Sequence, residues 1–345
     1  MVGAVLVRDG EVVGNGWHRR VGGPHAEVEA LRQAGEKADG ATLYVTLEPC
    51  AHHGRTPPCA DAVIEAGVSR VIACHRDPDP RVAGAGFERL RAAGIEVEVG
   101  ELAREAVELN FRYLIAATLG RPEVTLKWAM SLDGRIATAA GESKWISSPA
   151  GRRWALALRE EHDATLVGSG TVLADDPRLD RRLGLAERPG IRVVLDRRLR
   201  VAPSARLFTV PGPVLIYTEP AVAGERGAGF GGLADAEIAV LPAVEPLAVL
   251  ADLWQRGVRS VLVEGGGEVH ASFVAAGCFD RVAVDCAALL IGGREAPGPL
   301  GGTGFQALAD SARLDGLAAG RRGGDLILTG TRKGCLPELF KSLGA

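Results

Sequence analysis

The chain has 345 residues, of which 47% are hydrophobic and 24% are charged, a composition typical of a globular protein large enough for two domains. Its net charge of −3 and aromatic content of 5% argue against nucleic-acid binding, which favours basic patches and base-stacking aromatics. No apolar run reaches the roughly 18 residues of a membrane span, and nothing at the start resembles a signal peptide. We therefore expect a cytoplasmic protein with reduced cysteines and neither a nucleic-acid nor a membrane partner.

The first 119 residues alternate between strand and helix patterns, which predicts an α/β domain with a mainly parallel sheet. The turn Asp9-Gly10 between two apolar runs predicts an opening β-hairpin. The strands are predicted at 2–7, 11–17, 41–46, 70–74 and 95–99. The helices are predicted at 25–38, 59–66, 86–93 and 101–119.

The segment Leu119-Gly-Arg-Pro122 interrupts the last of these helices, so we divide the chain there into domains 1–119 and 123–345. Strands are predicted in the second domain at 123–129, 164–167, 191–195, 213–217, 237–240, 260–263, 281–285 and 325–329. Helices are predicted at 149–161, at 246–256 and directly after the glycines 265–267. The Gly-rich segment 224–232 is interpreted as a surface loop, and the residues from Lys333 onward as a tail.

The first candidate site combines His25 and Glu27 at a helix start with Cys50 and Cys59. One imidazole and two thiolates would bind zinc (Zn2+) and leave a fourth position open, as in catalytic zinc sites. Glu27 could then move protons without binding the metal. Zinc base deaminases carry H-x-E followed by P-C-x-x-C, whereas eight residues separate the two cysteines here. The alternatives are a solvated helix turn and two unrelated core cysteines.

Additional ligand candidates near this site are His52, His53 and Cys74. We interpret the two histidines as loop or substrate residues and Cys74 as a small buried apolar residue.

The second candidate site is the run Gly265-Gly-Gly267, which directly follows an apolar strand and opens a helix. Glycines at a helix start let backbone N–H groups approach an anion, so the pattern fits a nucleotide pyrophosphate. A plain tight turn is the alternative.

The sequence resembles the bifunctional deaminase/reductase family of riboflavin biosynthesis in both halves. The segments that carry the resemblance are 1–5, 16–18, 24–27, 48–50 and 57–59 in the first half, and 127–137, 141–147, 171–177 and 264–267 in the second. The resemblance implies an N-terminal cytidine-deaminase-like three-layer α/β/α domain and a C-terminal dihydrofolate-reductase-like α/β domain.

For the first domain, the resemblance implies zinc-hydroxide deamination of a diaminopyrimidinone that carries a phosphoribosylamino group. It makes His25, Cys50 and Cys59 the zinc ligands and Glu27 the catalytic residue. It also places His18 and Arg55 against the phosphoribosyl part of the substrate.

For the second domain, the resemblance implies hydride transfer from NADPH to the ribosyl C1′ of the deaminated product. The residues implied for the NADPH site are Ala129, Trp145, Thr171, Asp175, Gly265, Gly266 and Gly267. Those implied for the substrate are Lys127, Ser143, Arg159, Leu179, Arg182 and Glu264, with Arg181 as an alternative to its neighbour. The resemblance also implies a homo-oligomer.

Other functions remain open at the level of the sequence. Family members usually carry a helix and an Asn-Pro dipeptide before the segment that matches Met1-Val2-Gly3. A chain without them would be a reductase whose deaminase domain is inactivated by N-terminal truncation. A zinc-bearing module that binds nucleotides without turnover, or a nucleic-acid deaminase, is a third alternative.

Overall fold

The computed structural model describes residues 2–20, 22–53, 57–79, 81–186 and 188–343. It divides into two compact units, one formed by residues 1–119 with 336–345 and the other by residues 120–335. The last ten residues, which we had assigned to the second domain as a tail, therefore belong to the first unit. The physical reason is an amphipathic helix, Cys335–Leu343, in which Leu339 and Leu343 are buried.

The first unit is built on a five-stranded mixed sheet. Its strands are β1 (Gly3–Arg8), β2 (Glu11–Trp17), β3 (Thr42–Val45), β4 (Arg70–Ala73) and β5 (Glu96–Val99). Its helices are α1 (Ala26–Ala34), α2 (Cys59–Glu65), α3 (Ala85–Ala92) and α4 (Ala103–Leu119). The strand order is β2-β1-β3-β4-β5, with β1 antiparallel to both neighbours and β3, β4 and β5 parallel.

The predicted hairpin is confirmed. Asp9 and Gly10 connect β1 to β2 with φ values of 52° and 81°. Two positive φ angles define the type I′ turn, whose twist matches that of the flanking strands. The turn sets the register in which Leu6 and Ala4 face the buried core.

Helix α1 lies unusually close to β2 because two glycines face it. A Cβ built on Gly14 would lie 2.3 Å from the carbonyl oxygen of Ala30, and one built on Gly16 would lie 2.3 Å from that of Ala26. Any other side chain at these positions would push the helix outward. The glycines therefore determine where the residues at the start of α1 lie.

The second unit is built on a nine-stranded sheet. Its strands are β6 (Glu123–Ser131), β7 (Ala164–Gly168), β8 (Ile191–Leu195), β9 (Val214–Thr218), β10 (Ala236–Val240), β11 (Ser260–Gly265), β12 (Arg281–Ala287), β13 (Leu314–Arg322) and β14 (Asp325–Arg332). Its helices are α5 (Pro149–Glu161), α6 (Ser169–Asp175), α7 (Pro220–Gly227), α8 (Pro246–Gln255) and α9 (Gly267–Ala275), and the C-terminal helix is α10 (Cys335–Leu343). The order is β10-β9-β8-β7-β11-β6-β12-β14-β13. The first seven strands in this order are parallel, and the β13–β14 hairpin is antiparallel.

The interpretation of 224–232 as a surface loop was wrong. Helix α7 extends through Gly227, and a 3-10 turn covers Ala228–Phe230. Val222 and Phe230 pack on an apolar cluster of the second unit, and this packing outweighs the low helix propensity of the glycines. In the described part of the chain, no helix has the length and apolar character that a membrane span requires.

The contact between α1 and β2 can be tested with Gly16→Ala. The new Cβ would lie 2.3 Å from the Ala26 oxygen and 2.6 Å from the Ala30 nitrogen, so α1 must shift. We expect the free energy of unfolding to fall by about 1–3 kcal/mol, the usual cost of overpacking, in urea denaturation. Gly3→Ala in the same hairpin is the matched control, because its nearest contact is at 3.9 Å. Equal losses of stability in the two variants would contradict this account.

Candidate active sites

The predicted zinc ligands converge in the first unit. His25 precedes α1, Cys50 lies in the loop after β3, and Cys59 is the first residue of α2. The His25 Nδ1 atom lies 3.0 Å from the Cys59 Sγ atom and 3.6 Å from the Cys50 Sγ atom. All three ligand atoms lie within 4.8 Å of one another, and they form the one such group found among the residues that the structure describes.

The two thiols of this cluster differ in acidity. The hydrogen bond from Cys59 lowers the pKa of Cys50 to about 4, and His25 adds to the effect, although burial opposes it. The same hydrogen bond raises the pKa of the donor, Cys59. Cys50 is therefore a thiolate at neutral pH, which is the form that binds a metal.

Glu27 lies in the first turn of α1 beside the cluster and is only 3% exposed. Burial raises its pKa to about 7. Its Oε2 atom is buried and has no hydrogen-bond partner within the described ranges. A buried carboxylate oxygen without a donor, next to one imidazole and two thiol ligands, fits a site that holds zinc and a reacting water.

A positioning residue that we did not predict, Glu48, lies two residues before Cys50. Its buried carboxylate accepts hydrogen bonds from the backbone N–H groups of Gly86 (2.9 Å), Gly84 (3.0 Å) and Asp77 (3.1 Å). These bonds tie the end of β3 to the start of α3. Since only Pro49 separates Glu48 from Cys50, these hydrogen bonds also fix the position of the Cys50 ligand. The dipeptide Glu48-Pro49 before Cys50 was the only signal of this role in the sequence.

Of the two residues implied for the deaminase substrate, the structure describes His18. The His18 ring stands edge-on to the His25 ring, with 5.3 Å between centroids, and its Nδ1 atom lies 3.1 Å from the Pro24 oxygen. His18 is thus next to the metal cluster. Arg55 lies outside the described residues. The additional ligand candidates His52, His53 and Cys74 all lie in the described ranges. None of them is part of the cluster.

In the second unit, three of the residues implied for the substrate form one ionic cluster whose side chains are largely shielded from solvent. Arg159 on α5 donates to the Glu264 carboxylate on β11, with distances of 2.5 Å from Nε to Oε1 and 2.9 Å from Nη2 to Oε2. The Lys127 Nζ atom on β6 lies 3.7 Å from Glu264 Oε2. Burial alone would raise the pKa of Glu264, but Arg159 and Lys127 lower it to about 2. The carboxylate is therefore ionised at neutral pH, with both cations beside it.

The glycine turn after β11 lies against Thr171 of α6. A Cβ on Gly265 would lie 2.8 Å from the Thr171 Oγ1 atom, and Gly266 adopts a φ of 80° that other residues rarely tolerate. Helix α9 then begins at Gly267, as predicted. Four residues implied for the NADPH site, Thr171 and the three glycines, thus lie together at the start of α9.

The loop that precedes α5 carries Ser143 and Trp145 next to the end of α6. The Ser143 hydroxyl lies 3.5 Å from Asp175 Oδ1, and the Lys144 Nζ atom lies 3.2 Å from the same oxygen. Trp145 is 69% exposed, and the Arg152 guanidinium lies 4.7 Å from the centroid of its ring. Ala129 lies on β6, two residues beyond Lys127.

The structure distinguishes between the two neighbouring arginines. Arg181 donates to the backbone oxygens of Arg159 (2.9 Å), Arg188 (2.7 Å) and His162, so its guanidinium holds the fold together. Arg182 pairs with Asp180 at 2.6 Å and keeps 46% of its side chain exposed, so its guanidinium is not committed to the backbone as that of Arg181 is.

The Leu179 side chain is buried in the core and does not face a binding site. It is 4% exposed and packs in an apolar cluster of the second unit, with a φ of 57°. Only its backbone groups could face a substrate.

Comparisons with known proteins match both units. The family model of the cytidine and deoxycytidylate deaminase zinc-binding region matches residues 1–75, and that of the RibD C-terminal domain matches residues 122–328. The riboflavin biosynthesis protein RibD of Bacillus amyloliquefaciens is 44% identical over 338 residues, which is 96% of this chain and 90% of that protein.

Two solved structures are similar over nearly the same extent. The RibD of Acinetobacter baumannii in its form 1 has a TM-score of 0.83 and 38% identity, over 96% of this chain and 92% of that chain. The diaminohydroxyphosphoribosylaminopyrimidine deaminase/5-amino-6-(5-phosphoribosylamino)uracil reductase of Thermotoga maritima has a TM-score of 0.79 and 34% identity, over 96% and 91%.

The two units together define a bifunctional enzyme, in which a zinc-binding deaminase is joined to a reductase of the dihydrofolate-reductase-like fold class. The chain belongs to the RibD family of riboflavin biosynthesis. The resemblance seen in the sequence is confirmed, as are the fold class and the cofactors, zinc in the first unit and NADPH in the second. Relatives that match both units along almost the whole chain do not favour a reductase-only function.

The metal cluster can be tested by removing one thiolate. We expect about one zinc per chain in the parent and almost none in Cys50→Ser, because a site with three protein ligands loses much of its affinity with one of them. Cys74→Ser is the control, since this thiol is outside the cluster. Metal analysis of protein purified without chelators measures both. Full zinc content in Cys50→Ser would exclude Cys50 as a ligand.

Proposed function

We propose that this chain catalyses two consecutive reactions of riboflavin biosynthesis. The first unit would deaminate 2,5-diamino-6-(5-phosphoribosylamino)pyrimidin-4(3H)-one. The second would reduce the ribosyl group of the product, 5-amino-6-(5-phosphoribosylamino)uracil, to the ribityl chain. The observation that carries the proposal is the buried, unpartnered Glu27 oxygen beside the His25, Cys50 and Cys59 cluster. The name of the Thermotoga maritima protein, which states both activities, supports it.

In the deaminase, His25, Cys50 and Cys59 hold zinc and Glu27 moves protons. When bound, zinc supplies a hydroxide nucleophile near neutral pH by lowering the pKa of water to about 7. Glu27 takes the proton of the attacking water at its unpartnered Oε2 atom and passes it to the ring nitrogen. It then takes the proton of the newly formed hydroxyl group and passes it to the amine, which leaves as ammonia. Its raised pKa, near 7, suits a group that must both accept and donate.

The phosphoribosyl part of the deaminase substrate would lie against His18 and Arg55. His18 is supported by its position beside the His25 ring. An imidazole and a guanidinium both donate hydrogen bonds to phosphate oxygens.

In the reductase, the glycine turn and its neighbours bind the cofactor. The backbone N–H groups of Gly265, Gly266 and Gly267 face the pyrophosphate at the N-terminus of α9, where the helix dipole favours negative charge. When bound, NADPH supplies the hydride that reduces C1′. Ala129, Trp145, Thr171 and Asp175 line the remainder of the NADPH site.

The reductase substrate is oriented by the ionic cluster. Glu264 accepts hydrogen bonds from ribose hydroxyls, while Lys127 and Arg159 keep it ionised. Arg182 contacts the phosphate, supported by its exposed guanidinium. Ser143 and the backbone of Leu179 complete the substrate contacts.

We place the enzyme in the cytoplasm as a homo-oligomer that acts on phosphoribosylated pyrimidines. Six cysteines without a disulfide support a reducing compartment. The homo-oligomer is the state that the family resemblance implies.

The proposal is tested by Glu27→Gln in the full-length enzyme. The variant keeps the three ligands but cannot transfer the proton, so we expect normal zinc content and ammonia release at least about 100-fold slower. NADPH oxidation with the deaminated substrate should remain within about twofold of the parent, because that reaction uses the other unit.

Two results would contradict the proposal. Continued deamination by Glu27→Gln would remove Glu27 from its role. A parent enzyme that contains zinc but releases no ammonia would remove the deaminase activity itself.

A further inference from the structure

Two aspartates outside the sites described above lie side by side beneath helix α5. Asp285 on β12 is fully buried and Asp325 on β14 is 4% exposed. A Cβ built on Gly151, in the first turn of α5, would lie 2.3 Å from Asp285 Oδ2 and 2.4 Å from Asp325 Oδ2. The two carboxyl groups therefore converge on one point, and only a glycine leaves them room.

The two carboxyl groups differ in their partners. Asp325 Oδ2 accepts a hydrogen bond from the backbone N–H of Ser148 at 2.7 Å. Ser148 is the N-cap of α5, and its hydroxyl accepts from the Gly151 N–H at 3.2 Å. In the ranges that the structure describes, neither oxygen of Asp285 has a partner at full hydrogen-bond geometry, although the Ser147 side chain acts on it as a donor that lowers its pKa. Asp325 is thus tied to the helix start by a backbone N–H group, whereas Asp285 is not.

The surroundings provide little compensation for two negative charges. The titratable and charged groups that act on Asp285 are Asp325 from β14 and Lys127 from β6, and Ser147 faces it from the loop before α5. The Lys127 ammonium is paired with Glu264, and the Arg152 guanidinium of α5 lies over Trp145. On its own strand, the neighbouring Cys286 is a thiol whose pKa is raised by burial. Two buried carboxyl groups that face each other favour sharing one proton when the nearby cation is already paired with another carboxylate, as Lys127 is with Glu264.

We propose that Asp285 and Asp325 are paired positioning residues of the reductase, in which a protonated Asp285 donates a hydrogen bond to Asp325. Asp325 in turn holds Ser148, so the pair fixes the start of α5 and the loop that carries Ser143 and Trp145. The inference rests on the proposed function of the second unit, because those two residues are proposed there to contact substrate and NADPH. In register, Asp285 lies opposite Ala129, another residue proposed for the NADPH site.

The pair makes cofactor binding sensitive to alkaline pH. Burial and the neighbouring Asp325 raise the pKa of Asp285, so the folded protein retains a proton that the unfolded chain loses near pH 4. Stability therefore falls as the pH rises from there through the raised pKa. Once the shared proton is lost, the carboxylates repel each other and the loop is no longer held.

The experiment compares the parent with Asp285→Asn in the full-length, zinc-containing enzyme. The KM for NADPH of the parent should rise about tenfold or more as the pH increases from 6 to 9, the factor expected for loss of a hydrogen bond to a charged group. The asparagine amide keeps a donor at every pH, so the rise should be absent in Asp285→Asn. Asp285→Ala, which has no donor, should show a high KM already at pH 6. The exposed Asp310→Asn is the matched control and should follow the parent.

A second readout does not depend on turnover. In infrared difference spectra at pH 7, the parent should show the carbonyl band of a protonated carboxylic acid that Asp285→Asn lacks. An identical alkaline rise of KM in parent and Asp285→Asn, or no such band in the difference spectrum, would overturn the pair. If the parent oxidises no NADPH at all, the proposed reductase function fails, and the infrared band alone then decides whether the proton is shared.

Discussion

The close approach of α1 to β2 is the constraint on which the first active site depends. Gly14 and Gly16 have no side chains, so the helix backbone can rest directly on the strand. His25 and Glu27 lie at the start of that helix, and the glycines therefore set their distance from the sheet. Cys50 and Cys59 reach the same point from the loop after β3 and the start of α2. A zinc site with three ligands from three elements is possible only if the elements approach this closely.

The two units use buried glutamates in opposite ways. Glu264 is flanked by Arg159 and Lys127, and these cations lower its pKa to about 2 in spite of burial. Glu27 is buried without such a pair of cations, and its pKa is raised to about 7. The first remains ionised at neutral pH between its two cations. The second is poised between its two protonation states, as a proton carrier must be. The environment of each carboxylate, and not its residue type, separates orientation from proton transfer.

Local sequence patterns were sufficient for the elements and for part of the sites. The Asp9-Gly10 hairpin, the helix that begins at Pro149 and the helix after the glycines 265–267 all carry short-range signals, and the structure confirms them. The cluster of His25, Cys50 and Cys59 was also predictable, because its residue types admit few other chemistries. The family resemblance assigned Arg159, Lys127 and Glu264 to one substrate site, although they are more than 30 residues apart in the chain.

What the sequence could not predict depends on tertiary contacts. Glu48 acts through N–H groups of residues about 30 to 40 positions further on, and no local pattern announces such bonds. The sequence alone does not distinguish Arg181 from Arg182, but only Arg181 donates hydrogen bonds to three backbone oxygens. The placement of α10 with the first unit follows from burial of Leu339 and Leu343 in a distant part of the chain. Asp285 and Asp325 became neighbours only when β12 and β14 paired.

The central claim is that one chain carries both activities in sequence. Its most direct test supplies the full-length protein with zinc, NADPH and the diaminopyrimidinone substrate alone, and follows ammonia and NADPH together. We expect ammonia to appear first and NADPH then to be consumed in equal amount, since the second reaction uses the product of the first. NADPH consumption only when the deaminated compound is added, with no ammonia from the first substrate, would contradict it.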